Sequence, residues 1–478
     1  MKIFMVASES NPICKTGGLA DVIWSMSREL SCLGEDVSVV IPFYKCIKDL
    51  PGFRIKRLGR YDVELSWRRQ SAEVYMHDFD GVKFYLIAND YYFNRENLYG
   101  YEDDGERFAF FSLAVRSMFG QLDLVPDIVH IHDWQPGMVP VLIKEGCKED
   151  PRFANTRFVL TLHNEAFKGY LDRYFLNHFY GLDDRLFDEG MVRFDGMLST
   201  LKAGIVYADK VVAVSPTHAR ELLSPGDPMR LDGVLRMRGS DFKGIVNGVD
   251  QNEFDPETDP FIPLNYSAKT VVFGKKECRK KLLSSANLDD DDAPVFGIVS
   301  RLTYQKGIDL ALALAEELLA AGCKIFILGT GEFELEQRVE ELHDRYPETC
   351  AVYRGYNNQL AHDIYAGADF FLMPSLFEPC GIGQMIAQRY GTLPICRAVG
   401  GLKDTVVNFD GTNVKEATGF LFEDYDLSSF KEACSRALAA FSSAKIMKQL
   451  ILNAMKADHS WNRGALEYIE LYRSALNK

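Results

Sequence analysis

The sequence predicts an α/β protein of two domains, each a doubly wound sheet, and three observations lead there. At 478 residues the chain is too long for one ordinary hydrophobic core, because domains usually run to about 100–200 residues. Short β-branched runs alternate with amphipathic segments in two separate series, the pattern of strands buried on both faces and covered by helices. Between the series lies a proline-rich break, Asp255-Pro256-Glu257-Thr258-Asp259-Pro260-Phe261-Ile262-Pro263, which reads as an interdomain connection.

The first series opens with the apolar run Ile3 to Ala7, then a polar loop ending in Lys15-Thr16-Gly17-Gly18, a helical pattern from Leu19 to Leu33 and a second apolar run, Val37 to Ile41. That is a βαβ unit with a right-handed crossover. The runs Asp127 to His132, Arg157 to Leu162 and Lys210 to Val214 repeat the design, with an amphipathic segment from Pro136 to Glu145. The second series has strands at Val295 to Val299, Lys324 to Leu328, Ala351 to Tyr353, Phe370 to Met373 and Leu393 to Cys396. Its helices fall near Asp309 to Ala321, Glu332 to Tyr346 and Gln359 to Ala366. Two such sheets in one chain imply a cleft.

Composition narrows what the cleft can bind. A hydrophobic share of 47% with 26% charged residues is that of an ordinary globular protein. The net charge of −14 repels phosphate backbones and anionic lipids, so nucleic acid and membrane surfaces are not expected partners, and any bound phosphate needs a local basic pocket. No apolar stretch reaches membrane-spanning length, and Met1 to Ala7 is too short for a signal peptide. Ten cysteines without a C-x-x-C pair point to reduced thiols in a cytoplasm rather than to disulfides or zinc. The run Asp289-Asp290-Asp291-Asp292 reads as a solvated loop, because four adjacent carboxylates cannot converge on one ion.

In open α/β sheets ligands sit beyond the carboxyl ends of the strands, and four loops there stand out. Lys15-Thr16-Gly17-Gly18 combines a mobile cation with glycines that let the backbone approach an anion; a tight turn with a surface lysine is the plainer reading. It lacks the G-x-G-x-x-G of a dinucleotide fingerprint. Ser300-Arg301-Leu302-Thr303-Tyr304-Gln305-Lys306-Gly307 puts a guanidinium and an ammonium at one strand end, which together suit a diphosphate, although a solvent-facing loop has the same composition. Glu378-Pro379-Cys380-Gly381-Ile382-Gly383 precedes the amphipathic segment Gln384 to Tyr390 and offers a carboxylate for hydroxyls beside glycine amides, or simply a turn. His163-Asn164 and His132-Asp133-Trp134 follow two further strands. With no third nitrogen or sulfur ligand beside His130 and His132, sugar contact or core hydrogen bonding is expected there in place of a metal.

With these loops in order the chain resembles the bacterial glycogen synthases and plant starch synthases, retaining glucosyltransferases of the GT-B fold: two Rossmann-like domains facing a deep interdomain cleft. The resemblance rests on Lys15-Thr16-Gly17-Gly18-Leu19-Ala20-Asp21-Val22, Thr161-Leu162-His163-Asn164, Gly244-Ile245-Val246-Asn247-Gly248-Val249-Asp250, Ser300-Arg301-Leu302-Thr303 with Gln305-Lys306-Gly307, Glu378-Pro379-Cys380-Gly381, and Tyr390-Gly391-Thr392-Leu393-Pro394 followed by Gly400-Gly401-Leu402. It implies an N-terminal acceptor-side domain over 1–250, a nucleotide-sugar domain over 251–455, and a C-terminal helix, Trp461 to Leu476 within 456–478, that crosses back to the first domain. It also implies that the domains close on the donor.

The resemblance further implies ADP-glucose as donor, glycogen or a maltooligosaccharide as acceptor, and no metal, cofactor or obligate protein partner. Lys15, Arg301 and Lys306 are then expected on the diphosphate, helped by amides at Gly17, Gly18, Cys380, Gly381 and Gly383. His163, Asn247 and Glu378 would hold the glucose, Tyr356 would pack against the base, and Asp21, Asp133 and Trp134 would line the cleft. His163, Glu378, Arg301 and Lys306 form the catalytic set. Gly383 stands where the family usually has threonine, serine or asparagine, Glu165 where it is apolar, and Phe167-Lys168 where an aromatic and glutamine are common. Other readings keep the fold but take UDP-glucose or a small acceptor, or make the chain a weakly catalytic glucan-binding paralogue. A dehydrogenase lacks its glycine fingerprint here, and a phosphorylase lacks a motif for lysine-held pyridoxal phosphate.

Overall fold

The computed structural model describes residues 1–50, 53–66, 68–148, 150–226 and 228–477. The chain forms two compact units: Met1–Gly248 together with Trp461–Lys478, and Val249–Ser460. No described helix is long and apolar enough to cross a membrane.

The strands of the first unit are β1 (Lys2–Val6), β2 (Asp36–Pro42), β3 (Lys56–Leu65), β4 (Arg68–Phe79), β5 (Val82–Ala88), β6 (Ile128–His132), β7 (Arg157–Leu162), β8 (Tyr170–Leu171), β9 (Arg193–Phe194), β10 (Met197–Ser199), β11 (Lys210–Ala213) and β12 (Phe242–Gly244). Among the described residues nine of them make one sheet, in the order β12-β11-β7-β6-β1-β2-β5-β4-β3. The seven from β12 to β5 run parallel. Ile3, Phe4, Met5 and Val6 of β1 are fully buried, as a strand covered on both faces must be.

Between β2 and β6 the strand–helix alternation gives way to antiparallel strands at the sheet edge. β4 pairs antiparallel with both β3 and β5. The cause is local: β4 and β5 are joined by Asp80-Gly81, both with positive φ (50° and 82°), a two-residue hairpin turn that returns the chain antiparallel beside itself. The strands β8, β10 and β9 form a separate small antiparallel sheet. The segment expected to be helical from Pro136 is helical only over Val139–Lys144. A Cβ at Gly137 would lie 2.1 Å from the Thr200 carbonyl oxygen, so the chain there is pressed against its neighbour before a helix begins.

The second unit holds β13 (Val295–Val299), β14 (Lys324–Gly329), β15 (Cys350–Arg354), β16 (Phe370–Met373), β17 (Leu393–Arg397) and β18 (Phe420–Phe422), a parallel sheet in the order β15-β14-β13-β16-β17-β18. Its core packs Phe296, Ile298, Ile325, Ile327 and Leu372 against Leu314, Leu318 and Leu335 from the covering helices. The caps follow side-chain chemistry: Asn357 accepts from the Leu360 amide at 3.0 Å to start the helix Asn358–Gly367, as short polar side chains do at helix starts. In the acidic run, Asp290 pairs with Arg279 at 3.0 Å and Asp291 with buried Lys324, so part of this loop is tied down by ion pairs.

Strand order reverses between β1 and β6 in the first sheet and between β13 and β16 in the second. Loops leaving these carboxyl ends diverge and open a crevice. Each unit therefore presents its candidate residues at its own switch point.

The C-terminal helix Trp461–Leu476 belongs to the first unit. Tyr472 and Tyr468, one turn apart on it, reach His130 Nδ1 (2.8 Å) and Thr161 Oγ1 (3.1 Å) respectively. His130 Nε2 in turn meets Thr161 Oγ1 at 2.7 Å.

Candidate active site

In the first unit the chain leaves β1 as Ala7-Ser8-Glu9 and folds the Lys15 loop back over it. Glu9 is 3% exposed and takes the Thr16 amide (2.5 Å) and hydroxyl (2.8 Å). Burial raises its pKa despite these bonds. The sequence reading passed over Glu9, although its place just past the first strand was the signal for it. Gly17 is extended at the N-cap of the helix Gly18–Cys32 and leaves its first amides without a side-chain cap. Lys15 is not the free cation expected from sequence: its ammonium lies 2.7 and 2.8 Å from the two oxygens of Asp21, and Asn11 also donates to that carboxylate at 3.2 Å. Beside the loop lies a cavity of about 570 Å³ whose lining includes Pro12, Ile13, Lys15, Thr16, Asn97 and Tyr99.

The ends of β6 and β7 supply the second group. Asp133 turns the chain with φ 59° and accepts from the amides of His163 (2.7 Å) and Asn164 (3.2 Å). Burial still dominates and pushes its carboxyl up to about 7, because an ion loses more hydration than two amides return. His163 Nε2 meets His132 Nδ1 at 3.0 Å, and burial lowers the His163 pKa to about 4. The imidazole is thus neutral at pH 7, a hydrogen-bonding group and not a cation. Trp134 packs edge-on against Phe108 at 5.2 Å, and its carbonyl accepts from the Thr200 hydroxyl at 2.7 Å. Beyond β12, Asn247 is 5% exposed and its Oδ1 has no hydrogen-bond partner among the described residues, an acceptor that a ligand hydroxyl would satisfy.

Glu165, two residues past His163, is 2% exposed. It is held in an ion pair: its Oε2 lies 3.0 Å from His218 Nε2. His218 is raised to about 10, Glu165 and Glu221 outweighing its burial, and Glu165 is lowered by the same partner although burial opposes it.

In the second unit the loop after β13 carries Arg301, exposed, with Nη2 3.3 Å from Gln305 Oε1. Lys306 closes on Glu378 Oε2 at 2.5 Å, and the buried Ser375 hydroxyl donates to the same oxygen at 3.2 Å. Glu378 itself is 5% exposed. The loop that carries it is held by close backbone approach: a Cβ at Gly400, whose φ is 43°, would lie 1.9 Å from the Glu378 carbonyl oxygen, and the Gly401 amide donates to the carbonyls of Glu378 and Pro379. Cys380 is buried and Gly381 takes φ 72°. At Gly383 a Cβ would approach the Phe371 ring at 3.1 Å, so the glycine makes room for an aromatic side chain behind the loop. Tyr356 is 77% exposed, its hydroxyl bonded to Asn358 Oδ1 at 3.2 Å. Its ring face is open to a planar ligand.

Each unit thus brings a lysine onto a carboxylate at a switch point: Lys15 with Asp21, and Lys306, on the loop that also carries Arg301, with Glu378. Such cations can turn to a diphosphate, whose charge would replace the carboxylate's. Among the described residues no group of three or more metal-ligating side chains converges.

Residues 2–237 match the family described as the starch synthase catalytic domain, and residues 267–454 the glycosyl transferases group 1. A glycogen synthase of Clostridium kluyveri is 42% identical over 477 residues, covering 100% of both chains. One of Anoxybacillus flavithermus is 41% identical over 474 residues, covering 99% of this chain and 97% of the relative. Among solved structures, the catalytic domain of starch synthase IV from Arabidopsis thaliana, bound to ADP and acarbose, superposes with a TM-score of 0.94 at 28% identity, over 100% of this chain and 99% of that one.

Proposed function

The chain belongs to the glycogen synthase family of glycosyltransferases, and from that premise we propose that it moves glucose from ADP-glucose to the non-reducing end of an α-1,4-glucan with retention of configuration. The observation that carries the mechanism is the Lys306–Glu378 pair at the second switch point with exposed Arg301 on the same loop. Breaking the anomeric C1–O bond leaves a nucleoside diphosphate whose new charge must be met where it appears. Fixed donors aimed at such a charge contribute about 3–4 kcal/mol each. Arg301 and Lys306, on the loop after β13, supply that charge.

The acceptor 4-hydroxyl attacks C1 on the face that the diphosphate leaves, and its proton passes to the departing phosphate oxygen. Configuration is retained without an enzymic nucleophile. Glu378, already an acceptor for Lys306 and Ser375, binds glucose hydroxyls with its remaining lone pairs and steadies the oxocarbenium-like sugar. Neutral His163 and the unpartnered Oδ1 of Asn247 suit further hydroxyls; Gly17, Gly18, Cys380, Gly381 and Gly383 offer backbone amides; Tyr356 takes the base. Asp133 and Trp134, with the cavity beside Lys15, serve the acceptor side. The ADP and acarbose bound to the Arabidopsis relative support an adenosine donor and a saccharide acceptor. Ten free thiols support a reducing, cytoplasmic setting.

The test is nucleoside diphosphate release from ADP-glucose and UDP-glucose, each with and without glycogen, for the wild type and for Lys306→Ala and Glu378→Ala. Glycogen-dependent release from ADP-glucose, reduced at least about a hundredfold in both variants, is expected. Faster release from UDP-glucose would move the donor assignment. Glycogen binding without release from either donor would make the chain a glucan-binding paralogue.

A further inference from the structure

A row of hydrogen-bonded histidines runs through the first unit to His163, and only its last member has a part in the chemistry above. His130 and His132, two apart on β6, share one face of the sheet, and Thr161 stands opposite His132 on β7. His130 is fully buried and held at both nitrogens, Nδ1 by the Tyr472 hydroxyl at 2.8 Å and Nε2 by that of Thr161 at 2.7 Å. Its ring centroid lies 4.1 Å from that of His132, so it forms a fixed wall behind that ring. His132 is fully buried too. Its Nδ1 lies 3.0 Å from His163 Nε2, while its Nε2 is buried with no hydrogen-bond partner among the described residues. The main chain of His163 is held separately, its amide donating to Asp133 at 2.7 Å, and His163 itself stays partly exposed.

These contacts decide which ring nitrogen carries the proton. Burial keeps His132 and His163 neutral at pH 7, so each ring has one N–H and one lone pair. The contact between them takes one of each. If His163 donated from Nε2, His132 would accept at Nδ1 and carry its own proton on Nε2, a buried N–H with no acceptor. Folded proteins rarely leave an N–H in that state, and a bare lone pair there is the smaller loss. His132 therefore donates from Nδ1 and His163 accepts at Nε2. The His163 proton is left on Nδ1, because the hydrogen bond at one ring nitrogen sets the state of the other.

Resting on the reading of His163 as a glucose contact, we propose that His132 is a positioning residue for the transfer, its Nδ1–H locking His163 as an Nδ1–H donor to a hydroxyl oxygen of the glucose being moved. With the opposite placement His163 would offer that hydroxyl only a lone pair, and the hydroxyl would have to turn its own proton inward. A donor fixed in advance needs no reorientation while the sugar reacts. Asn247 Oδ1, the buried acceptor without a partner, complements such a donor, since sugar hydroxyls both give and take hydrogen bonds.

His132→Leu and His132→Asn in the full chain test this, the second keeping a side-chain N–H about where Nδ1 stands. With glycogen saturating, kcat/KM for ADP-glucose is expected to fall about 10- to 100-fold in His132→Leu and to stay within about threefold of the wild type in His132→Asn. The KM for glycogen is expected to hold in both. On a His163→Ala background, His132→Leu is expected to add less than about twofold, because residues acting through one contact are not additive. Equal losses in the two His132 variants, or full additivity with His163→Ala, overturn the proposal. Nitrogen NMR of the full chain carrying isotope-labelled histidine, with His163 assigned by its loss in His163→Ala, reads the proton without any transfer and decides even where a variant fails to fold. A protonated Nδ1 and a bare Nε2 on His163 are expected at neutral pH; the reverse overturns the proposal. If the wild type transfers no glucose while His163 shows the expected spectrum, the enzymatic reading fails and the His132 lock stands.

Discussion

Lys306 and Glu378 occupy each other before any ligand arrives, and that mutual hold shapes what their substitution does. Glu378→Gln keeps the shape but removes the charge that keeps Lys306 in place. It should lower kcat by about 10²- to 10³-fold with little change in thermal unfolding, read by steady-state kinetics beside a melting curve. Asp133 makes a second test. Its folded pKa of about 7 stands above the ordinary 3.8, so between those values the folded chain binds more protons than the unfolded one, and stability falls as pH rises from about 4 to about 7. His163, lowered from 6.5 to about 4, acts in the opposite sense and favours the folded state as pH rises from about 4 to 6.5. Denaturant unfolding of Asp133→Asn across pH 4–8 should therefore show the variant gaining on the wild type as pH increases; a constant difference would contradict the burial of that carboxyl. The strand-end loops that carry Lys15, Arg301, Lys306 and Glu378 were legible in the sequence because each holds several marks. The neutrality of His163 and the Glu165–His218 pair were not, since each depends on a partner far along the chain or on burial that no local pattern carries.

Among the elements, parallel strands were the easiest to read: β13 and β16 have the bounds expected from their apolar runs, and the helix Trp461–Leu476 those expected from its amphipathic spacing. The strand β3 was missed because exposed charged residues alternate with buried ones along it, and β4 because it has no continuous apolar run, although Asp80-Gly81 marked the turn from β4 into β5. At Gly383 a side chain would press on the Phe371 ring. Gly383→Thr should therefore cost about 1–3 kcal/mol of stability in urea unfolding instead of improving the enzyme; a stabilised and faster variant would show that the ring yields. Tyr472→Phe tests the last helix. It leaves buried His130 Nδ1 without its partner and should cost about 1–3 kcal/mol, with KM values for both substrates unchanged.

At the scale of the whole molecule, the sequence yielded two sheets and the break between the series, and the first unit proved to need both ends of the chain. A chain ending before Trp461 would lose the tyrosines that satisfy His130 and Thr161 and would uncover apolar surface. It should be recovered as aggregate or unfolded protein by circular dichroism, and a soluble truncated form with a wild-type melting curve would contradict that dependence. Glucosyl transfer to an α-1,4-glucan is tested by incubating the full chain with ADP-[labelled glucose] and glycogen, then digesting the product with β-amylase. Label is expected to enter the polymer and to be released as maltose, since each new glucose is α-1,4-linked at a non-reducing end. Label that stays in the digestion-resistant core, or free labelled glucose with none in the polymer, would contradict it.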